Sequence, residues 1–180
     1  MDTAAPPGLD ALLDEYDRAL ARTDALWLDL EPDEVAWRPH PDSSAIGWHL
    51  GHQAAVGHHL LRNLIAAEPS PDPELDALMD SATPERERGE LPDPGRLRAY
   101  RDGVADRVRA RVRTIGRGEV EAPAQLEVVA RTLVVALVNH EHQHARWIGE
   151  VRRDQLGRDL PPPPVSPLLV EFDGYPVLAV

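Results

Sequence analysis

Four stretches of this sequence repeat apolar residues at intervals of three and four, and the prolines fall between them or at their edges. That pattern points to a set of amphipathic helices, because proline removes a backbone donor and clashes with the preceding helical turn. The first stretch runs from about Leu9 to Leu28, with Leu9, Leu12, Leu13, Tyr16 and Leu20 in helical register. The second, "AIGWHLGHQAAVGHHLLRNLIAA", runs from Ala45 to Ala67, with Ser44 as the expected N-cap. Gly47, Gly51 and Gly57 weaken it by about 1 kcal/mol each relative to alanine, and they allow close helix packing. The third runs from Pro94 to Ile115, announced by Asp93 as a capping acceptor and Pro94 in the first turn. Leu97, Tyr100, Val104, Val108 and Val112 form its stripe, and the arginines on its outer face are expected to be solvated. The fourth runs from about Leu126 to Asp154.

The connections differ in length. "EPDEVAWRPHPDSS" reads as a loop. The polar segment from Glu68 to Gly95 is long enough to cross over the bundle, with one short turn expected around Leu75 to Met79. One Phe, three Tyr and four Trp leave Leu, Val and Ala to fill the core, which favours helices over a sheet. The expected fold is all-α: a four-helix bundle with a long crossover over residues 1–160. An extended Pro-rich tail, residues 161–180, is expected to pack on the bundle or on a partner subunit.

Charge and composition narrow the function. A net charge of -12 argues against nucleic acid as a partner, since phosphate contacts need a basic face. The absence of Cys excludes disulfides, Fe–S clusters, cysteine-ligated zinc and a thiol nucleophile from the chain itself. The N-terminus is acidic and amphipathic, unlike a signal peptide, and no apolar run is long enough to span a bilayer. A cytoplasmic location, with no membrane partner, is therefore expected.

The chemistry concentrates in histidines. "HEHQH" holds His140, His142 and His144 inside the apolar fourth stretch. His140 and His144 are four apart, so they share a face, and the neighbouring apolar positions direct that face inward. Such a pair presents two nitrogen ligands to a divalent metal. The second stretch carries His49, His52, His58 and His59, with Trp48, His52 and His59 on one face. A ligand from this face completes a three-nitrogen site with positions left open. His49 and His58 are expected to point sideways or outward. "HEHQH" also satisfies H-E-x-x-H, the zinc peptidase pattern with Glu141 as base, but Glu150 is badly spaced to be the third ligand.

Two segments carry a family resemblance. "SSAIGWHLGHQ" is similar to the second-helix segment of the DinB-like superfamily, and "NHEHQHARWI" resembles its last-helix H-x-x-x-H segment. That superfamily comprises metal-binding four-helix bundles. It includes bacillithiol and mycothiol S-transferases and the N-terminal domains of iron-dependent sulfoxide synthases of ergothioneine biosynthesis. The resemblance covers roughly residues 8–155 and implies that His52, His140 and His144 are metal ligands. The synthase pattern usually has an acidic residue where this chain has His49. The synthases also use a second domain with a catalytic tyrosine, so complete synthase activity is not expected of these residues.

The expected function is that of a stand-alone metalloenzyme with one divalent iron, zinc or nickel ion. Its substrates would be a low-molecular-weight thiol and an electrophilic small molecule. Glu141 and His59 are the candidate bases or ligand-orienting groups, Trp48 and Trp147 candidate pocket walls, and Arg62 a candidate partner for a substrate carboxylate. An iron-dependent, oxygen-using oxidoreductase and a non-catalytic metal-binding dimeric bundle are the alternatives. A homodimer is a further expectation, from the apolar tail and from the family resemblance.

Overall fold

The computed structural model describes residues 6–179. Four long helices form the bundle: α1 (Leu9–Ala25), α3 (Ile46–Leu64), α5 (Pro94–Gly116) and α6 (Pro123–Glu150). Two short helices, α2 (Pro32–Ala36) and α4 (Pro73–Leu78), sit in the connections. Helix α1 packs on α6, α3 packs on both α5 and α6, and α5 closes the bundle against α1. The stripes meet in one core, with Leu12 and Tyr16 from α1, Leu50 and Leu61 from α3, Val104 and Val108 from α5, and Leu133 and Ile148 from α6. No helix among the described residues is long and apolar enough to cross a membrane.

The helix starts follow local chemistry. The Asp93 carboxylate accepts from the Arg96 N–H at 3.1 Å, the cap expected for α5. Ser44 does not cap α3. The helix starts one residue later, after Ala45, and the Ser44 hydroxyl instead accepts from Arg88 Nη1 at 2.8 Å. Residues 32–36, expected as loop, form α2 because Pro32 presets the first turn. Glu34 accepts from the Glu31 N–H at 2.9 Å, and Val35 anchors the turn in the core.

The crossover between α3 and α5 carries α4 at the expected turn. Asp72 caps it by accepting from the Leu75 N–H at 3.1 Å, and Leu75 and Met79 are fully buried. A Cβ on Gly51 would lie 2.5 Å from the Met79 sulfur, so this glycine is what lets the crossover approach α3. Gly47 meets Leu91 and Val35 in the same way, at 3.1 Å.

Helix α6 ends in a wide π turn over Val151–Gln155. It presents Arg152 to the Asp29 carboxylate (2.6 and 2.8 Å) and the Leu26 carbonyl (3.0 Å), fastening the end of α6 to the end of α1. The tail then forms an antiparallel hairpin, β1 (Leu169–Phe172) with β2 (Tyr175–Leu178), in register Leu169 to Leu178. Asp173 and Gly174, at φ 51° and 76°, supply the positive φ pair that a two-residue hairpin turn requires. Strand β2 lies on α6. The Leu178 N–H donates to Asn139 Oδ1 at 2.7 Å, and the Leu178 side chain joins the bundle core.

Candidate metal centre

One nitrogen from each of His52, His140 and His144 lies within 4.8 Å of the others. Helix α6 supplies two of these rings one turn apart, and their centroids are 4.4 Å from each other. Helix α3 supplies the third, 5.3 Å from His140 and 5.1 Å from His144 by centroid. His144 is buried, while His52 and His140 are half-buried, so the cluster closes on the bundle side and opens on the other.

The protonation pattern suits ligation. His52 Nδ1 lies 2.9 Å from the Met79 carbonyl oxygen. A carbonyl only accepts, so Nδ1 carries the hydrogen and the Nε2 lone pair is free. His144 Nδ1 lies 2.9 Å from His49 Nδ1. One of these nitrogens donates to the other, and donation by His144 leaves its own Nε2 lone pair for the centre. Burial holds His140 down at about 4, with neighbouring His52 adding to the effect. Burial also holds His144 and His52 below the usual imidazole range, and His49 falls to about 3 for the same reason. The rings are thus neutral at neutral pH, the form that binds a metal ion. Three neutral imidazoles, with the hydrogen of one fixed by a carbonyl, fit a divalent first-row ion.

Aromatic rings flank the cluster. Trp48 stacks on His52 at 4.6 Å between centroids and 11° between planes, and the Arg88 guanidinium covers Trp48 at 3.6 Å. Trp147 meets His144 edge to face at 4.9 Å. A cleft of about 430 Å³ runs from His52 past His58 and His59 to Arg62, with Asp76 and Asp80 on its opposite wall.

A sequence model of the DinB superfamily matches residues 15–148. This chain belongs to the DinB superfamily. No curated protein matches it. Its all-α bundle and its three-histidine cluster, which could hold a metal ion, agree with that membership.

Within this DinB-superfamily bundle, several expected positions are revised. His49 and His58 point inward, being 8% and 3% exposed. On a helical wheel His49 lies only about 60° from His52, close enough to reach α6. Helix α3 is also covered on several sides, by α2, α4, α5 and α6, so few of its positions can face outward. Both ring nitrogens of His58 are buried without a partner among the described residues. His59 is exposed at the cleft wall, beside Asn63.

Glu141 stands apart from the cluster. Its carboxylate accepts from Thr23 (2.9 Å), Gln53 (2.8 Å) and Arg101 (3.3 Å), joining α1, α3 and α5 to α6. A peptidase needs this glutamate free beside a metal-held water. Here it is bound into the core, so the H-E-x-x-H match is one of sequence alone. Arg101 is a second surprise. It is 4% exposed, although it belongs to a helix whose other arginines are mostly at the surface. No apolar periodicity marks it. The signal that could have found it is its complement, an acidic residue one position from the His140 and His144 stripe.

Proposed function

We propose that this chain is a metal-dependent thiol S-transferase. In this reading His52, His140 and His144 hold one divalent ion, and a low-molecular-weight thiol is transferred to an electrophilic small molecule beside it. The observation that carries the reading is the meeting of three neutral imidazoles, one of which, His52, lines a cleft, in a chain with no thiol of its own. A divalent ion bound there supplies the positive charge that favours thiolate over thiol at neutral pH.

The chain's own residues do the rest. The Met79 carbonyl fixes the His52 ring, and His49 fixes that of His144. Trp48 and Trp147 keep water from two sides of the cluster. The thiol proton leaves to water in the cleft, whose wall His59 borders two turns of α3 from His52. The sulfur lone pair then forms a bond to the electrophilic carbon, and the leaving group departs with its bonding pair. Arg62, exposed in the same cleft, offers a guanidinium to an anionic group on either substrate.

The test is metal analysis of the reconstituted protein and of His140→Ala, followed by conjugation of a small thiol to a chromogenic haloarene. We expect about one ion per chain, lost in the variant, and metal-dependent conjugation that falls to background with it. A protein that holds its ion and conjugates no thiol refutes the transferase reading. Oxygen consumption by the iron form would move the assignment to an oxidoreductase.

A further inference from the structure

A second cavity lies under the C-terminal tail, on the opposite side of α6 from the histidine cluster. Its volume is about 380 Å³, and Arg22, His142, Arg146, Glu150 and Arg153 bring charged or polar groups to its wall. His142 sits two residues from each α6 histidine of the cluster, which turns it about 160° away from both. It is 2% exposed, and its ring borders the cavity.

The three arginines are only partly engaged. Arg22 uses Nη1 on the carbonyls of Pro161 (2.5 Å) and Pro162 (2.6 Å), which leaves Nε and Nη2. Arg146 uses Nε on Glu150 (3.1 Å) and Nη1 on the Gly174 carbonyl (2.8 Å), which leaves Nη2. Arg153 uses Nε and Nη2 on Asp154 (2.5 and 2.7 Å), which leaves Nη1. Against the carboxylates of Glu150 and Asp154, three guanidiniums leave this spot one positive charge in excess, in a chain whose net charge is -12. Ala145, Leu160, Pro163 and Pro176 supply an apolar remainder.

We infer that this cavity binds a small phosphate monoester, with the phosphoryl oxygens accepting from the unused arginine donors beside His142. Phosphate suits this wall better than carboxylate. Its three oxygens and nearly double charge can meet donors on several arginines, whereas a carboxylate matches the fork of one. The apolar wall faces the organic group of the ester. The same ligand would fasten the tail to α6, since Arg22 and Arg146 already hold the tail's carbonyls. The site is independent of the metal cluster and of the thiol reading.

The experiment titrates the full chain with glycerol 3-phosphate, inorganic phosphate and succinate, at an ionic strength fixed with chloride. The readout is the imidazole nitrogen resonances of His142. The expected result is a saturable His142 shift with glycerol 3-phosphate, a weaker one with inorganic phosphate and none with succinate. Affinity should fall about tenfold in Arg153→Ala and in Arg22→Gln, the scale of one charge-assisted hydrogen bond. Arg153 is exposed, so its variant keeps the fold. Succinate binding as tightly as the ester, a shift that follows chloride alone, or affinity unchanged in both variants would each overturn the assignment.

Discussion

The imidazole of His52 donates from Nδ1 to the backbone carbonyl of Met79 across 2.9 Å, joining a cluster residue on α3 to the crossover that covers it. The carbonyl fixes both the tautomer and the ring plane of His52, and Met79 itself is fully buried against Gly51. Hydrogen-bond partners of this kind typically account for 10- to 100-fold in metal affinity.

Gly51→Ala should therefore weaken metal binding without touching a ligand. The new Cβ would meet the Met79 sulfur at 2.5 Å, and a residue with no exposed surface has little room to yield. We expect the crossover to shift and metal affinity to fall about tenfold, with stoichiometry preserved at saturation. Competition titration against a chromophoric chelator reads both quantities. Unchanged affinity would mean that the Met79 carbonyl does not orient the site.

His49→Ala should act on the same scale by removing the partner of His144 Nδ1. His58→Ala should leave metal affinity unchanged, because neither ring nitrogen of His58 bonds to the cluster. Comparing the two variants in one titration separates a positioning role from a general effect of deleting buried histidines from α3.

Breaking the buried pair between Arg101 and Glu141 should cost more than removing both charges. Arg101→Met leaves a carboxylate that is 4% exposed without its cation, a loss of about 3–5 kcal/mol. Adding Glu141→Gln to that variant should recover part of the loss, since Thr23 and Gln53 still bond the side chain. Urea unfolding of the two single variants and the double variant measures the coupling, and strict additivity would contradict it.

The metal-free protein should lose stability as pH falls below the ordinary imidazole value of about 6.5. His140 titrates at about 4 and His49 at about 3 in the fold, both lowered by burial, so between those values and 6.5 the unfolded chain binds more protons. Stability then rises with pH across that window and levels off above it. The dependence for His140 ends near pH 4, where the folded form also takes its proton. Urea midpoints from pH 7.5 down to pH 5 check the sign, and His140→Ala should flatten the slope.

The parts of this molecule that repeat were legible in the sequence. Helical spacing located all four long helices, the Asp93–Pro94 pair fixed the start of α5, and the four-residue step placed His140 and His144 together. Contacts made by single polar atoms from distant segments were not legible. Helical spacing does not show that the Met79 carbonyl will meet His52, or that Arg101 will turn inward to Glu141. Each depends on how close two backbones come, and that is set by Gly51 in one case and by the packing of four helices in the other. A single inward stripe does not predict the burial of His49, because neighbours cover α3 on several sides.

The three candidate ligand positions are unevenly spread along the chain. Two lie within one turn of α6, while His52 precedes the first of them by 88 positions. An ion held by all three would act as a reversible cross-link, closing a loop that contains the crossover and the whole of α5. In the chain-entropy view a covalent tie across a loop of that length is worth about 4–5 kcal/mol, drawn mostly from the unfolded ensemble. For a protein with no cysteine, the ion would then serve as its staple, and chelation would loosen the connection between the two halves of the bundle.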